Sequence, residues 1–572
     1  MRSRFVLRAR ILSGFFIVGA LLLLSRLYFV QVVHGEGYRE SAVAQYVEPD
    51  PDTEDRSAIY FTSKDGDLVS AAVMQTGWRI ALVPKDIEDA DALFGALNAI
   101  TEIDRGRFFA SAGKTGDPYE EVAFRVSDDA AEKIRALKAS GVLLVRDQWR
   151  FYPGEQLAAT VLGFVGYTTD KKEGVYGLEK KWQDALLKTA TGLYVNPFAE
   201  IFTNVKAALS ADPAGERGSI ITSIEPTVQE RLETTLGGVV DTYSPRLAGG
   251  IVMDPHTGAI IAMAMRPTYD PNTYNTVSDP SVFSNQLVEG RYELGSIMKP
   301  LTVAAGIDAG AITPSTTYND TGCIARSGKT ICNFDHKARR VVPIQEVLNQ
   351  SLNLGVTFVV DTMGHPAFTR YMKAYQLDQK TGIDLPGEVS GDLSSLGLGT
   401  NPEVEYASAS FGQGVAQSPI AMTRALATLA NGGVLPYPHL VTGIKYESGI
   451  VRSIEPPEGA RVLSTTTAET VSAMLVEVFD TALLKGALKQ EHYSIAAKTG
   501  TAQIAIPGGG GYYPDRYLHS FFGYFPAHDP KFIVFLFAVE PHGVEYASAS
   551  LARPFLEVVK FLVNYYDVPP DR

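Results

Sequence analysis

An apolar run near the N-terminus restricts the architecture of this chain more than any other feature. Residues 11–33 are almost continuously apolar, and a helix of that length crosses a hydrocarbon core of about 30 Å. Arginines at positions 2, 4, 8 and 10 precede the run, which predicts a cytoplasmic N-terminus. Arg26 lies near the far end, where its long side chain can reach the headgroups.

A cleaved signal peptide is the alternative interpretation of this run. The apolar part of a signal peptide spans about 7–15 residues and precedes a small-x-small cleavage site. This run is longer, and no such site follows it. We therefore expect a retained single-pass anchor in the inner membrane, with everything after residue 34 outside the cytoplasm.

The composition of the whole chain excludes several classes of protein. Of 572 residues, 45% are hydrophobic and 20% are charged, which is ordinary for folded domains and sufficient for several of them. A net charge of −13 gives no general attraction for nucleic acid, so we expect no nucleic-acid partner. The nine histidines and two cysteines show no metal-ligand spacing, and we expect neither a metal nor a cofactor.

Two regions differ in pattern. Residues from about 58 to 220 mix short strands with helical stretches such as 127–140. Further on, 249–265 and 519–541 each consist of two apolar runs joined by a turn, which predicts two hairpins. A strand over 494–506 and an amphipathic helix over 550–567 complete a pattern typical of an antiparallel sheet covered by helices.

One helical segment carries a serine and a lysine that could react together. Ser296 and Lys299 stand three residues apart after Gly295, so both side chains lie on one face of a turn. A serine hydroxyl is a poor nucleophile until a base removes its proton, and a partly buried lysine can lose its charge and act as that base. The spacing alone is weak evidence, because it recurs at Ser111 and Lys114.

The tripeptide Lys-Thr-Gly occurs three times. The first copy follows Ser111 directly in a Gly-rich stretch, and we interpret 111–116 as a turn. The second, within 379–388, lies between turn signals and is expected in a loop. Only the third copy, Lys498 to Gly500, falls inside a predicted strand, where Lys498 can direct a positive charge into a cleft.

A third piece, Ser351-x-Asn353, lies between the other two along the chain. The order Ser-x-x-Lys, Ser-x-Asn, Lys-Thr-Gly is the trio found in penicillin-binding proteins and serine β-lactamases. With it, the chain resembles the class B penicillin-binding proteins, the monofunctional transpeptidases of peptidoglycan. Other segments also resemble the sequences of this family, namely 26–40, 150–166, 174–186, 218–233, 382–388 and 409–433.

The resemblance implies an α/β (α+β) fold with a five-stranded antiparallel sheet covered by helices. An elongated mixed α/β pedestal and one transmembrane helix would precede it. The expected divisions are a cytoplasmic tail over 1–10, the anchor over 11–33, a non-catalytic pedestal over 34–220 and a transpeptidase domain over 221–572.

The same resemblance assigns catalytic roles to five residues. Ser296 would be the acylated nucleophile and Lys299 its proton acceptor. Ser351 would pass the proton to the leaving amine, and Asn353 would orient the lysine and the substrate amide. Lys498 would tune the electrostatics of the site.

Substrate binding is expected on the strand that carries the third Lys-Thr-Gly. Thr499 and Thr501, on either side of Gly500, would bind the terminal carboxylate of the donor peptide. The backbone N–H groups of Ser296 and Thr501 would hold the oxyanion. The substrates would be peptidoglycan stem peptides, and β-lactams would act as inhibitors.

Departures from the family pattern concern the subtype. Ser57 stands where the family usually has glycine, and 264–267 read AMRP where ATP or ASP is usual. The modest pedestal resembles the division-type, FtsI-like branch more than the elongation branch. A SEDS-type glycosyltransferase and other division proteins are the partners that the resemblance implies.

Two other functions remain open at this point. A D,D-carboxypeptidase or β-lactamase would use water in place of the acceptor amine, and Glu346 faintly resembles a deacylating glutamate. An exposed helix glutamate is the simpler interpretation. A catalytically silent cell-wall scaffold is the other alternative, although all three motifs are intact.

The two cysteines are placed symmetrically about a predicted turn at Ser327 and Gly328. A two-residue turn there puts Cys323 directly opposite Cys332 in a hairpin, at a separation that permits a disulfide. An extracytoplasmic location would allow the bond to form. Two unrelated thiols in a loop are the alternative.

Overall fold

The computed structural model describes residues 56–168, 171–187, 217–398 and 401–572, with Gly19 alone before them. The predicted tail over 1–10 and anchor over 11–33 therefore lie outside these ranges. Within the described ranges, no helix has both the length and the apolar character that a membrane crossing requires. The chain divides into two units between Glu54 and Asp55, and all the elements named below belong to the second.

The region before residue 223 alternates between strands and helices. The strands are β1 (Ile59–Thr62), β2 (Leu68–Leu82), β3 (Glu120–Val126), β4 (Val142–Phe151), β5 (Val165–Thr168), β6 (Lys171–Gly174) and β7 (Ser219–Thr222). The helices are α1 (Ala90–Asn98), α2 (Arg105–Ala112), α3 (Asp128–Leu137), α4 (Ala159–Leu162), α5 (Gly177–Lys181) and α6 (Gln183–Leu186). Ser127 caps α3 by accepting the Ala130 N–H, which confirms the helix predicted over 127–140.

The remaining strands and helices belong to the region after residue 223. The strands are β8 (Leu247–Met253), β9 (Ile260–Arg266), β10 (Thr317–Asp320), β11 (Cys323–Arg326), β12 (Lys329–Cys332), β13 (Arg340–Pro343), β14 (Val434–Leu435), β15 (Val441–Lys445), β16 (Val451–Ser453), β17 (Ala460–Arg461), β18 (Ala496–Ala505), β19 (Tyr512–Phe525) and β20 (Phe532–Val539). The helices are α7 (Pro226–Tyr243), α8 (Gln286–Glu289), α9 (Lys299–Asp308), α10 (Ile344–Asn349), α11 (Asn353–Met363), α12 (His365–Ala374), α13 (Ser395–Leu398), α14 (Pro402–Ser410), α15 (Pro419–Ala430), α16 (Thr465–Glu477), α17 (Ala547–Ser550) and α18 (Ala552–Tyr565).

The region after residue 223 has a central sheet of five strands in the order β18-β19-β20-β8-β9, all antiparallel. Every residue of β20 is buried, because helices cover both faces of the sheet. On one face, α18 packs Phe555, Val559 and Leu562 into the core. The five-stranded antiparallel sheet, both predicted hairpins and the closing helix are confirmed.

The predicted division between residues 220 and 221 falls inside β7. This strand pairs in parallel with β1 and antiparallel with β15, which comes from much later in the chain. One seven-stranded sheet therefore joins the N-terminal region to the region that follows.

Two buried arginines meet one buried glutamate in the N-terminal region. Arg56 Nε and Arg150 Nε each donate to a different carboxylate oxygen of Glu179, both at 2.6 Å. Arg56 also binds the Glu179 carbonyl, and Arg150 binds the carbonyl of Ser57 at 2.8 Å. The three side chains come from separate segments, so this network fixes those segments against one another.

The first Lys-Thr-Gly copy differs from its prediction. Ser111 belongs to α2 and is buried, so the interpretation of 111–116 as a turn is wrong at its start. The helix extends to Ala112 because Phe108 and Ser111 pack inward, and Ser111 Oγ donates to Glu120 at 2.9 Å. Lys114 Nζ binds the same carboxylate at 2.6 Å. Both residues of this Ser-x-x-Lys pair are therefore engaged away from the candidate site.

Candidate active site

The Ser296 turn begins at Gly295, whose backbone has a φ of 66°. Residues Gly295–Met298 form a 3₁₀ turn that continues into α9 at Lys299. Side chains three residues apart lie above one another in such a turn. The predicted helical turn at Ser296 and Lys299 is confirmed, with Ser296 half-buried and Lys299 fully buried.

Gly500 explains how strand β18 comes so close to this turn. A Cβ atom at Gly500 would lie 2.3 Å from Ser520 Oγ and 2.7 Å from the Leu294 carbonyl oxygen. Both approaches are shorter than van der Waals contact, so only glycine fits. Ser520 Oγ donates to the same Leu294 oxygen at 2.8 Å, which ties the sheet to the turn. The close approach of β18 to the turn therefore requires glycine at this position of the third Lys-Thr-Gly.

The hydroxyl of Ser351 lies between two lysine amines. Lys299 Nζ and Lys498 Nζ are each 3.1 Å from Ser351 Oγ. Lys299 also donates to the Ser351 carbonyl at 2.5 Å, and Lys498 donates to the Thr499 carbonyl at 3.0 Å. Ser351 has a φ of 55°, a left-handed conformation that a serine rarely adopts. The structure therefore brings together residues from all three predicted motifs.

Burial lowers the pKa of both amines. Desolvation, with a smaller contribution from the charge of Lys498, holds the pKa of Lys299 well below its ordinary value. Desolvation lowers the pKa of Lys498 to about 7. Neither lysine forms an ion pair with any carboxylate in the described part of the chain. Amines with lowered pKa values can accept and release protons at a lower pH than ordinary lysines do.

Asn353 is the first residue of α11 and faces the disulfide hairpin. Its Nδ2 donates to the carbonyl oxygen of Cys332 at 2.9 Å. Cys323 and Cys332 are opposite residues of β11 and β12, and a disulfide joins them across a Cα separation of 4.1 Å. Ser327 and Gly328 form the predicted two-residue turn, and both have positive φ.

The two threonines lie on the more exposed face of β18. The strand alternates, so Lys498 and Gly500 are buried while Thr499 and Thr501 are half-exposed. Thr501 Oγ1 accepts a hydrogen bond from the Ala547 N–H at 3.1 Å, which leaves its own O–H free to donate.

Two other positions that the sequence singled out, Thr381 and Glu346, make hydrogen bonds that stabilise their local structure. Thr381, in the second Lys-Thr-Gly copy, lies in a loop as predicted. It is buried there and donates to Glu388 through its N–H and its hydroxyl. Glu346 lies in α10 and accepts from Asn349 at 3.0 Å and Gln350 at 2.6 Å. Sequence reasoning missed Ser520, although a small polar residue within the apolar strand β19 is the signal that could have found it.

Comparisons with known proteins show the family of this chain. Residues 248–559 match the family described as "Penicillin binding protein transpeptidase domain". That match covers more than half of the chain, and the chain belongs to this family. Within it, the chain is a class B, FtsI-like penicillin-binding protein.

Several relatives are similar over nearly their whole lengths. The chain is 27% identical to "Stage V sporulation protein D" of Bacillus subtilis, covering 95% of this chain and 83% of that protein. It is 26% identical to "Peptidoglycan D,D-transpeptidase FtsI homolog" of Mesostigma viride, covering 97% and 95%. A crystal structure of penicillin binding protein 3 from Mycobacterium tuberculosis, complexed with aztreonam, shares the fold. Its TM-score is 0.68 at 21% identity, over 91% of this chain and 98% of that one.

Proposed function

We propose that this chain is a peptidoglycan D,D-transpeptidase that cross-links stem peptides through an acyl-enzyme on Ser296. One observation carries the assignment of residues. A serine hydroxyl, that of Ser351, lies 3.1 Å from each of two buried amines, and one of these amines follows Ser296 by one turn. This arrangement suits a proton relay between a nucleophile and a leaving group.

Acylation would begin with neutral Lys299. Its amine accepts the Ser296 proton as Ser296 Oγ attacks the carbonyl carbon of the penultimate D-alanine. The backbone N–H groups of Ser296 and Thr501 would stabilise the resulting oxyanion. Collapse breaks the peptide bond, and the departing D-alanine nitrogen receives a proton from Lys299 through Ser351. An ester on Ser296 remains.

Deacylation would run the same relay with a new amine. An amino group of a neighbouring stem peptide attacks the ester, loses a proton through Ser351, and forms the cross-linking amide. The Ser296 hydroxyl is restored. Asn353 would orient the substrate amide beside Lys299 during both steps.

Lys498 would supply positive charge for the donor carboxylate. Its pKa of about 7 leaves it partly protonated near neutrality, and a bound carboxylate favours the charged form. Thr499 and Thr501 lie on the exposed face of the same strand, where their hydroxyls would complete the carboxylate site.

β-Lactams would acylate the same serine. The penicillin binding protein 3 of M. tuberculosis has been solved with aztreonam and with ampicillin, which supports the proposal. The cellular role that we propose is septal cell-wall synthesis, from a single-pass anchor over 11–33, beside a SEDS-type glycosyltransferase. Filamentation on depletion is the expected phenotype, whereas swelling into spheres would indicate the elongation-type alternative.

A labelled penicillin tests the assignment of Ser296. Mass spectrometry of the adduct should locate the label on the tryptic peptide that contains Ser296, and Ser296→Ala should remove labelling. Ser111→Ala is the matched control, because Ser111 begins the second Ser-x-x-Lys and binds Glu120 instead. A label on any other side chain contradicts the proposal. Wild-type protein that takes up no label would favour the inactive scaffold.

Hydrolysis is the second enzymatic candidate, and the environment of Glu346 argues against it. Both of its carboxylate oxygens accept hydrogen bonds within its own helix region, from Asn349 and Gln350. A transpeptidase predicts an acyl-enzyme that survives for minutes or longer. Release of the label within seconds would indicate a β-lactamase.

A further inference from the structure

The disulfide hairpin β11–β12 ends directly against the first turn of helix α11. The carbonyl of Cys332 accepts from Asn353 Nδ2 at 2.9 Å. The next residue, Asn333, accepts from the Leu354 N–H through its Oδ1 at 3.2 Å. Two consecutive residues of the hairpin end thus contact the two residues that open the helix. The first N–H groups of a helix lack intrahelical partners, so Asn333 acts as a cap supplied from outside.

Asn333 is itself held firmly. It is buried, and its Nδ2 donates to both carboxylate oxygens of Asp320, at 2.9 and 3.0 Å. The Arg339 N–H donates to Asp320 at 2.9 Å as well. The Asn333 N–H donates to the Gly322 carbonyl, which precedes the other cysteine. This buried polar cluster fixes the point where the hairpin meets α11.

The rest of the hairpin has little packing to hold it. Of its eight strand residues only Ile331 is buried, and an isolated two-stranded hairpin is marginally stable. At the tip, Arg326 pairs with Asp361 of α11 and with Glu403 of α14. The covalent link between Cys323 and Cys332 lies at the other end, next to Asn353.

We propose that the Cys323–Cys332 hairpin is a positioning element that fixes the Asn353 amide for the substrate. The disulfide holds the Cys332 carbonyl in place, and that carbonyl orients the Asn353 side chain. Asn333 is a positioning residue that sets the start of the same helix. This inference rests on the proposed function, because it assigns the role to Asn353 in substrate binding.

Reduction is the experimental means of releasing the hairpin. A dithiol such as dithiothreitol breaks the S–S bond and supplies two electrons and two protons, yielding two thiols and its own cyclic disulfide. The Cys332 carbonyl is then free to move away from Asn353. A chelator should be present, because His336 Nδ1 lies 3.7 Å from Cys323 Sγ and released thiols beside it would attract metal ions.

The test measures second-order acylation rates of the oxidised and reduced full chain with two β-lactams. Benzylpenicillin carries a side-chain amide, and 6-aminopenicillanic acid has a free amine there. We expect reduction to lower the rate of acylation by benzylpenicillin about tenfold, since small misplacements of a positioning group have effects of this order or larger on a rate. The loss for 6-aminopenicillanic acid should be smaller, and reoxidation should restore both rates.

If the hairpin had a merely structural role, reduction would lower the acylation rates with both compounds equally. An equal loss of rate therefore overturns the inference. An unchanged benzylpenicillin rate after complete reduction, verified by thiol counting, also overturns it. If the reduced protein loses its fold, Asn333→Ala decides, because it keeps the disulfide and must show the same selective loss. Lys329→Ala, at the exposed hairpin tip, is the matched control and should behave as wild type. Failure of the proposed function itself would look different, as the oxidised protein would not be labelled on Ser296.

Discussion

The N-terminal network and the candidate active site each bury two basic side chains. Those of the network are paired with a carboxylate, whereas those of the candidate site are not paired with any carboxylate that the structure describes. Arg56 and Arg150 share the carboxylate of Glu179. In the described part of the chain, Lys299 and Lys498 share the hydroxyl of Ser351. Each also donates to a separate backbone carbonyl, Lys299 to that of Ser351 and Lys498 to that of Thr499. Arginine stays protonated when buried, whereas lysine can lose its proton.

The pKa shifts follow from this difference. Burial would raise the pKa of Glu179, but the two arginines more than offset it, so its pKa lies below the ordinary value. At the lysines no carboxylate opposes burial within the described residues, and both pKa values fall. A paired buried charge stabilises an arrangement of segments, and an unpaired one provides a base. The comparison yields four predictions.

Replacing Lys299 by methionine should have the largest effect. Lys299→Met removes the proposed base while filling the same buried volume, so acylation by benzylpenicillin should fall about 10²–10⁴-fold. The free energy of unfolding should stay equal or rise, because a buried, unpaired amine is removed. Stopped-flow acylation and denaturant unfolding would measure the two. Lys114→Met, at the other Ser-x-x-Lys, is the control and should acylate normally.

Replacing Glu179 by glutamine should give the opposite pattern. Glu179→Gln leaves two arginines buried without a carboxylate, which should cost about 3–5 kcal/mol of unfolding free energy. The acylation rate per folded molecule should not change, since the network contacts none of the proposed catalytic residues. A loss of acylation at full folding would show that the two regions are coupled.

Enlarging Gly500 should damage the site with a moderate loss of stability. In Gly500→Ala the new methyl meets Ser520 Oγ and the Leu294 carbonyl, and overpacking of this kind costs about 1–3 kcal/mol. Because the strand must move away from the Ser296 turn, acylation should also slow. Gly382→Ala, in the second copy, has open space around its Cβ but a φ of 84°, so it strains the backbone without a clash against β18 and is the control for acylation. Unchanged acylation in Gly500→Ala would contradict the close approach.

The last prediction, with the smallest change for each unit of pH, is a pH dependence of stability. Lys498 has a folded pKa of about 7 against 10.5 when exposed, so the unfolded chain binds more protons between these values. The free energy of unfolding should therefore rise with pH from about 7 to 10.5, by at most about 1.4 kcal/mol per pH unit for this group. Denaturant titrations of wild type and Lys498→Met would isolate it, since the variant should lack this contribution. An equal slope in both would refute the shift.

Sequence reasoning predicted the elements that local pattern determines. Apolar runs marked both hairpins of the central sheet, and symmetry about Ser327 and Gly328 gave the correct register for the cysteines. The prediction for Ser111 was wrong because glycines after it suggested a loop, while its burial and its bond to Glu120 extend the helix.

Contacts between distant segments could not be predicted in this way. β7 joins the two regions because its partner β15 lies far along the chain, so the boundary that the resemblance implied at 220 falls inside a sheet. The Cys332 carbonyl beside Asn353, and Ser520 beside Leu294, depend on how separate elements pack. The motif trio led to the proposed catalytic residues, but only the fold shows the Ser351 hydroxyl between the two amines.

Titration of the two amines tests the central claim most directly. In protein labelled with ¹³C at the lysine Cε, with Lys299→Arg and Lys498→Arg variants to assign the signals, each resonance reports its own protonation. Lys498 should titrate near pH 7, and Lys299 should titrate well below its ordinary pKa. Two lysines that both titrate near pH 10.5, like those on the surface, would contradict it.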